Sequence, residues 1–334
     1  MDPETLHRES LIFDGHCDTV LSVLGWKDRP DSSVPRSLGQ RSEAGHLDLP
    51  RMREGGVGAQ VFACCVRREH RHKGAAADVL QMLDAFYQEL DQYNGEMALA
   101  TTPAEVEAAF AQGKIAAILG IEGGEALEER LSTLRMFHRL GVRLLTLTWN
   151  FRNALADGLW EARTGSGLTE FGVQVVQEMN RLGMLVDIAH LSPSGVADVF
   201  RVSGAPVVAS HANAQALCGN PRNLSDAQLE ALAAAGGVVG VTFVPSFVAD
   251  DPAQATLERL VDHVDHIVRV AGVDHVGLGS DWDGFSGEGS VQGLKDVTDT
   301  PALTRELWRR GYSPTDIRKI LGENWLRVWR RVAG

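Results

Sequence analysis

A short apolar run near the start of the chain, Leu11-Ile-Phe-Asp-Gly-His-Cys-Asp18, has the character of a strand and ends in polar residues. Because side chains alternate between the two faces of a strand, His16 and Asp18 project to the same side. An imidazole and a carboxylate held side by side suit Zn²⁺ and similar divalent ions. One His-x-Asp pair is a weak signal, since a solvated strand end has the same pattern. Its importance depends on the residues that end the later strands.

Seven further apolar runs follow along the chain and predict the fold. Most are separated by helical patterns, and they are continuously apolar rather than alternating, which is typical of parallel strands covered on both faces. Eight such units close into a (β/α)8 TIM barrel, and a single barrel domain over residues 1–334 fits the chain length. The later runs are Gly58–Val66, Lys114–Glu122, Val142–Trp149, Met184–His190, Ala205–His211, Gly237–Phe243 and Val273–Asp281.

Helix signals occur between these runs. Thr102-Pro-Ala-Glu105, and Ser225 with Gln228, have the form of capping boxes and predict helix starts. Helical patterns also extend over about residues 75–93, 126–140 and 252–270. We expect the last helices, which begin at Thr300-Pro301 and Ser313-Pro314, to pack on the outside of the barrel or across one end.

The composition narrows the choice of partners. Hydrophobic residues make up 44% of the chain and charged residues 23%, the balance of a soluble globular protein. The formal charge of −12 argues against nucleic acid or an anionic membrane as partner, because both bind clustered Lys and Arg. The first residues lack the apolar core of a signal peptide, and no run approaches the ~20 apolar residues of a membrane span. The sequence therefore predicts a cytoplasmic protein.

The predicted strands end in residues that can bind metals. In a parallel barrel all strand C-termini lie at one rim, so side chains far apart in sequence converge there. A lone histidine at such a position is more often structural, and a lone carboxylate is commonly a helix N-cap. Their recurrence at strand after strand favours a metal site instead. The residues concerned are His16, Asp18, Glu122, His190, His211 and Asp281.

This set is larger than one metal needs. A catalytic zinc ion uses three protein ligands and keeps one position open. Two metals that share a bridging carboxylate and a bridging water would use the whole set. Metal ions about 3.5–4 Å apart can convert that water into hydroxide near neutral pH and polarise a substrate carbonyl. The pattern therefore predicts hydrolysis at a carbonyl, with two Zn²⁺ per chain or other divalent ions in their place.

Several motifs resemble those of the membrane dipeptidase family, also called renal dipeptidase or peptidase family M19, in its soluble bacterial-type members. The likeness extends from about residue 10 to residue 330, with the motifs in the right order and spacing. It implies a barrel of the metal-dependent amidohydrolase type with two zinc ions. The motifs are His16-Cys-Asp18, Gly120-Ile-Glu-Gly-Gly124, Leu185-Val-Asp-Ile-Ala-His190, Ser210-His211, Pro221-Arg-Asn-Leu-Ser225, Gly277-Leu-Gly-Ser-Asp281 and Gly322-Glu-Asn-Trp-Leu-Arg327.

The resemblance implies a role for each metal-competent residue. His16 and Asp18 match the ligands of one zinc ion. Glu122 matches the bridging carboxylate, and His190 and His211 match the ligands of the second zinc ion.

Two further residues are matched in the same way. Asp281 matches the aspartate that the family uses for proton transfer around the bridging water. Arg222 matches the arginine that receives the terminal carboxylate of the substrate. A guanidinium fork suits bidentate carboxylate binding, although Arg222 could also be an ordinary surface arginine.

The chain departs from the family after the fourth predicted strand. Mammalian members have a histidine there that contacts the scissile carbonyl, and the matching position is Trp149. Tryptophan is neither a hydrogen-bond acceptor nor a cation. Either Asn150, Arg152 or Asn153 supplies the oxyanion donor and contacts the substrate, or the metals polarise the carbonyl alone. We favour Trp149 as a wall of the pocket.

Other polar residues have less certain roles. Asp187 and Asp283 could orient metal-binding histidines, as acidic residues around metal sites commonly do, or could serve as helix caps or loop residues. His263 and His266 lie on a helical pattern, and we predict that both are solvated.

The apolar and thiol residues have simpler interpretations. Trp325 and Trp329 are four residues apart and predict a packing stripe on a helix. The cysteines have no CxxC spacing, and buried thiols are the expected state. The cysteines are Cys17, Cys64, Cys65 and Cys218.

The sequence as a whole predicts a dinuclear zinc dipeptidase. A metal-bridged hydroxide would attack the peptide carbonyl, Asp281 would move the proton to the leaving amine, and Arg222 would hold the free carboxylate of a dipeptide. One alternative is a related amidohydrolase that acts on N-acyl amino acids or other small amides. Another is a barrel that binds metal without catalysis. A homodimer is compatible with each of these.

Overall fold

Eight parallel strands close into a barrel in the computed structural model, which describes residues 1–26, 35–285 and 289–334. The strands of the sheet are β1 (Ile12–Cys17), β2 (Val57–Cys65), β3 (Met97–Leu99), β4 (Ile115–Glu122), β5 (Val142–Thr146), β6 (Leu185–Asp187), β7 (Val208–Ala209), β8 (Val238–Val241) and β9 (Val276–Leu278). Hydrogen bonding runs in the order β2-β1-β9-β8-β7-β6-β5-β4, and pairing of β2 with β4 closes the ring. The predicted TIM barrel is confirmed.

Strand β3 lies outside the ring of eight. It pairs with the first residues of β4, from Ile115 to Ala117, on the side where β5 pairs with the later residues, from Leu119 to Glu122. Sequence reasoning missed this strand because three residues are too few to show a periodic pattern.

Helices cover the outside of the barrel. Both predicted capping boxes are present, at Thr102 and at Ser225. Two helices begin later than predicted, at Leu131 and Leu257, since short 3₁₀ turns precede them. The helices are α1 (Pro3–Glu9), α2 (Thr19–Leu24), α3 (Leu49–Glu54), α4 (Ala75–Gln92), α5 (Pro103–Ala111), α6 (Leu131–Arg139), α7 (Glu170–Leu182), α8 (Pro193–Val202), α9 (Asp226–Ala234), α10 (Pro245–Val248), α11 (Leu257–Ala271), α12 (Thr300–Arg309), α13 (Pro314–Arg318) and α14 (Asn324–Ala333).

The C-terminal helix closes the N-terminal end of the barrel. Trp325 of α14 is fully buried, and its ring stacks on Phe13 with the centroids 5.5 Å apart. Its indole N–H donates to the carbonyl of Leu278 at 2.9 Å. The ring fits because glycine stands beside it in β1 and β9, where a Cβ on Gly15 or Gly277 would lie 2.1 or 2.6 Å from the indole. The opposite, C-terminal end is left for a site.

The two histidines of α11 are not solvated as predicted. His263 is 1% exposed, and its Nδ1 accepts from the backbone N–H of Ala214, while Nε2 lies 3.0 Å from the carbonyl of Val248. His266 is also buried and lies 2.7 Å from a carboxylate oxygen of Asp226. The helical pattern did not show this burial, because the three partner residues, Ala214, Val248 and Asp226, come from other helices and loops.

All four cysteines are buried thiols outside any disulfide bond, as predicted. Within the described residues, no helix combines the length and the apolar character that crossing a membrane would require.

Replacing Gly15 by alanine tests the packing around Trp325. We expect Gly15→Ala to lower the free energy of unfolding by about 1–3 kcal/mol, because the added methyl overlaps a ring that cannot move. Gly95→Ala is the matched control, since no atom lies within 4 Å of the added carbon, and its effect should stay within about 0.5 kcal/mol. Denaturant unfolding followed by circular dichroism measures both. Equal stability of the two variants would contradict this account of the barrel interior.

Candidate metal centre and active site

The six metal-competent residues of the sequence analysis lie together at the C-terminal rim of the barrel, and all are buried. His16 has three carboxylates around Nε2, at 3.7 Å from Asp18 Oδ1, 3.8 Å from Asp281 Oδ1 and 4.0 Å from Glu122 Oε1. His16, Asp18 and Asp281 form one group whose ligand atoms lie within 4.8 Å of one another. This group could hold one ion.

Two further histidines meet at the same carboxylate oxygen of Glu122 that His16 faces. Glu122 Oε1 lies 2.8 Å from His190 Nε2 and 3.7 Å from His211 Nε2. The two histidine Nε2 atoms are 2.9 Å apart. Glu122 therefore faces histidines from both groups, which is the position that a bridging carboxylate needs.

The hydrogen bonds of Ser210 determine the tautomer of His211. The hydroxyl of Ser210 donates to Asp187 Oδ2 at 2.6 Å, because a carboxylate can only accept. The same hydroxyl lies 2.8 Å from His211 Nδ1 and must accept a proton there. The Nε2 atom of His211 therefore carries a lone pair toward Glu122. Asp187 also accepts a hydrogen bond from the Thr146 hydroxyl, so one buried carboxylate connects the end of β5 to the residue that precedes His211.

Asn150 determines the tautomer of His190 in the same way. Its amide oxygen lies 2.8 Å from His190 Nδ1 and can only accept, so Nδ1 carries the proton and Nε2 is an acceptor. Burial and the nearby Arg222 guanidinium lower the pKa of His190 to about 4. The imidazole is therefore neutral at physiological pH, as a metal ligand must be.

These tautomers leave acceptor atoms facing each other. With both imidazoles neutral, the 2.9 Å contact between the Nε2 atoms of His190 and His211 brings two lone pairs together. Glu122 Oε1 adds a third acceptor 2.8 Å from His190. The two ring nitrogens of His16 have no hydrogen-bond partner among the described residues. Buried acceptors in this arrangement repel one another unless a cation lies among them, so the residues fit divalent metal ions.

The electrostatics of His16 agree with a site for cations. Burial by itself lowers the pKa of this histidine, yet the neighbouring carboxylates, Asp18 first among them, raise it to about 10. The surroundings of His16 thus favour a positive charge. These carboxylates would attract a divalent ion more strongly than a single proton.

The backbone is strained at two of these residues. His190 and Asp281 both have φ of 64°, in the left-handed region that side chains with a Cβ rarely adopt. Such conformations cost of order 1–3 kcal/mol each and cluster at functional sites. Both residues lie three positions beyond the ends of their strands, β6 and β9.

A cavity of about 530 Å³ opens over this cluster. Arg222 lines it and is buried, with no carboxylate within ion-pair distance among the described residues. Its guanidinium lies 5.3 Å from the ring centre of Phe247 and donates to the carbonyl of His211 at 3.4 Å. Burial lowers the pKa of Arg222. A buried guanidinium without an internal anion suits an anion brought by a ligand.

The candidates for an oxyanion donor lie in different places. Trp149 and Asn150 both line the cavity, and Trp149 lies 5.9 Å from the His190 ring between centroids. Arg152 pairs with Asp157. The structure does not bring Asn153 to the cavity, because its side-chain amide holds loop backbone at Leu147, Leu155 and Ala156.

Asp283 has a supporting role near the mouth. It is buried and accepts from Thr19, from Arg36 and from the backbone N–H of His46. Burial raises the pKa of Asp283, but its contacts with His46 and Arg36 hold the pKa well below its usual range. The segment Gly25 to Glu43, rich in Ser, Pro, Arg and Asp, predicts a loop that either covers the site or is a solvated excursion without a role, and Asp283 anchors its residue Arg36. Residues 27–34 of that loop lie outside the described residues.

Sequence reasoning missed several residues of the site. Asn220 and Phe285 line the cavity from loops and Phe247 lines it from the short helix α10, and the sequence analysis singled out none of the three. Cys65, interpreted only as a buried thiol, has its ligand atom within 4.8 Å of those of Asp18 and Glu122. Its position at the end of β2 was the available signal, since the other site residues also lie at strand ends.

A parallel barrel with histidines, carboxylates and a buried arginine at its C-terminal rim defines the class of metal-dependent hydrolases. The sequence model of the family described as membrane dipeptidase, peptidase family M19, matches residues 2–334. The chain belongs to this family and is a metallo-dipeptidase by class.

Individual relatives agree with this assignment. Dipeptidase tcpJ of Claviceps purpurea (strain 20.1) is 37% identical over 328 residues, which cover 96% of this chain and 76% of the relative. The solved structure of dipeptidase AC, a metallopeptidase of family M19, has a TM-score of 0.88 and 34% sequence identity to this chain. The match covers 97% of this chain and 99% of the dipeptidase AC chain. A metallopeptidase from Rhodobacter sphaeroides, liganded with a phosphinate mimic of the dipeptide L-Ala-D-Ala, has a TM-score of 0.88 at 33% identity, with coverage of 97% and 100%.

Replacing Ser210 by alanine tests the hydrogen bonds that orient His211. We expect Ser210→Ala to weaken metal binding by about 10- to 100-fold, because His211 Nδ1 loses its acceptor. Thr148→Val is the matched control, since the buried Thr148 hydroxyl has no hydrogen-bond partner among the described residues. Competition with a chelating dye measures the affinity of each variant for zinc. Unchanged affinity in Ser210→Ala would show that Ser210 does not orient this ligand.

Proposed function

We propose that this chain is a dinuclear zinc dipeptidase that hydrolyses the peptide bond of free dipeptides. The observation that carries the proposal is the convergence of the Nε2 atoms of His190 and His211 on the carboxylate of Glu122. His16, which also faces Glu122, and Asp18 beside it complete the set. Location in the cytoplasm and the state of assembly stay predictions from the sequence.

The proposed ligand sets follow from these two groups. His16 and Asp18 would hold one ion, His190 and His211 the other, and Glu122 both. When bound, such a pair of ions supplies an activated water and polarises the scissile carbonyl. The protein residues bring the substrate to that position and move its protons.

Arg222 would bind the free C-terminal carboxylate of the dipeptide. Its buried guanidinium lines the cavity that contains Glu122 and His190, so the carboxylate and the scissile bond can occupy one cavity. A planar guanidinium can hold a carboxylate by two parallel hydrogen bonds. A longer peptide would have to place further residues where the buried arginine lies. The preference for dipeptides follows from this end of the cavity.

Asp281 would hold and transfer the proton. Its carboxylate lines the cavity and lies 3.8 Å from His16 Nε2, at the edge of the cluster. It can accept a proton from the attacking water and pass it to the leaving amine, the ordinary role of a general base and acid. Its left-handed backbone aims the carboxylate into the cavity.

The relatives support a dipeptide as substrate. The Rhodobacter sphaeroides structure contains a mimic of L-Ala-D-Ala, a dipeptide with a D-residue at its C-terminal position. We infer that this chain also accepts dipeptides, and that both stereoisomers at the second position should be tested. N-acyl amino acids also present a free carboxylate to Arg222 and are the substrates of the main alternative.

The first test combines metal removal with replacement of Asp281. Chelation should abolish dipeptide hydrolysis and zinc should restore it, with two ions bound per chain under the proposal. Asp281→Asn should lower kcat by about 10²- to 10⁴-fold while metal content measured by atomic emission stays the same. Activity on N-acyl amino acids alone would replace the proposal by the amidohydrolase alternative. Bound zinc without turnover of any amide would indicate a metal-binding barrel without catalysis.

The second test concerns Arg222. Arg222→Met should raise KM for dipeptides by about 10- to 100-fold, because hydrogen bonds to a charged group contribute about 1.5–3 kcal/mol each. A dipeptide amide, which lacks the terminal carboxylate, should be a poor substrate of the wild type and should lose little further activity in the variant. Steady-state kinetics on both substrates provide the comparison. An equal loss on both would mean that Arg222 does not recognise the carboxylate.

A further inference from the structure

The strand order of the barrel gives the direction of a bound dipeptide, and this step rests on the proposed function. Arg222 lies in the loop after β7, where it would hold the C-terminal carboxylate. In the closed ring β7 and β2 are diametrically opposed, with β8, β9 and β1 between them on one side and β6, β5 and β4 on the other. A dipeptide that extends from Arg222 across the metal cluster therefore points its N-terminal residue toward the loop after β2.

A second cavity, of about 320 Å³, opens on that side. We call it the β2 lobe. Trp149 lines both the β2 lobe and the main cavity, so the indole stands where the two adjoin. Cys65 lies at the inner end of the lobe, within 4.8 Å of ligand atoms of Asp18 and Glu122. The lobe therefore extends from the metal cluster to the outer loop. Its lining residues are Leu21, Cys65, Val66, Arg67, Arg68, Glu69 and Trp149.

The outer end of the β2 lobe is strongly basic. Residues 67–73, the basic loop, contain four Arg and Lys side chains and one glutamate, in a protein whose formal charge is −12. Arg67 is already neutralised, because it pairs with both oxygens of Asp78 at 2.9 Å. Glu69 also faces Arg67, at 3.6 Å. Positive charge in excess remains on the other basic residues of the loop.

Arg68 carries this excess in the lining of the lobe, and Arg71, which lines a neighbouring cavity with Glu125, lies over the same Phe151 ring. Neither has an ion pair within 4.0 Å among the residues that the structure describes. Their guanidinium carbons lie instead over the ring of Phe151, at 5.2 and 4.1 Å, and Arg68 also lies 5.9 Å from the ring of Trp160. Cation–π contacts of this kind position the guanidinium groups without neutralising them. Both groups are thus available to an anionic ligand.

We propose that the β2 lobe binds the side chain of the N-terminal residue of the dipeptide, and that Arg68 makes an acidic side chain the preferred one. Leu21, Cys65 and Trp149 provide apolar contact for the methylene groups of that side chain. Arg68 receives its carboxylate at the outer end of the lobe, and Arg71 adds to the positive potential there. The substrate class is therefore dipeptides that begin with glutamate or aspartate.

The experiment compares Glu-Ala with Gln-Ala, which differ in charge and hardly in shape, on zinc-loaded enzyme. We expect kcat/KM to favour Glu-Ala by about fivefold, since exposed ion pairs contribute up to about 1 kcal/mol. Arg68→Gln should bring the Glu-Ala to Gln-Ala ratio of kcat/KM close to one. Arg68→Glu should lower this ratio below one, and Lys-Ala should become the preferred substrate of that variant. Raising the ionic strength should lower the wild-type ratio, because salt screens a partly exposed pair.

Arg330→Glu is the matched control. It makes the same change in net charge as Arg68→Glu, but at the opposite end of the barrel, where Arg330 pairs with the exposed Glu107. The Glu-Ala to Gln-Ala ratio should therefore not change. A wild-type ratio near one, or a preference that survives Arg68→Glu, would overturn this inference while dipeptide hydrolysis itself continued. Failure of zinc-loaded wild type to hydrolyse any dipeptide would instead overturn the proposed function, and this inference with it.

Discussion

Barrel closure forces hydrogen-bond acceptors from several strands to face one another around Glu122, and the chemistry of the site depends on that constraint. The Nε2 atoms of His190 and His211 are 2.9 Å apart, and a carboxylate oxygen lies 2.8 Å from the first. Buried charge and buried lone pairs are costly unless they are compensated, so the folded chain favours cations at this point. Metal binding and the stability of the rim are therefore linked.

The remaining contacts keep those acceptors in position. Asp187 acts on His211 through Ser210, and Asn150 acts directly on His190, so each histidine has one nitrogen fixed by the protein and one left for metal. The left-handed backbone of His190 costs energy locally, and the rigid strands beneath it maintain that conformation. His16 and Glu122 thus lie at the ends of strands, whereas His190 and His211 lie three and two residues beyond the ends of β6 and β7.

The two ends of the barrel have different tasks. At the N-terminal end Trp325 fills the interior against glycine and gives the barrel a solid base. At the C-terminal end the space above the metal cluster extends in two directions, toward Arg222 and toward Arg68. An acidic protein thus presents isolated positive charge at both ends of the space that a dipeptide would occupy. This distribution suits substrates with a carboxylate at each end.

The sequence by itself determined the parallel barrel and the residues that gather at its rim, because continuous apolar runs and strand-end polar residues are local signals. His16, Glu122 and His211 could be assigned to one site from strand topology alone. Tertiary structure alone decided the tautomers of His190 and His211, the separate position of Asn153, and the burial of His263, which sequence reasoning had predicted to be solvated. The physical reason is that each of these depends on a contact with a distant or irregular segment. Periodicity shows which face of an element is buried, but not which distant group will meet it there.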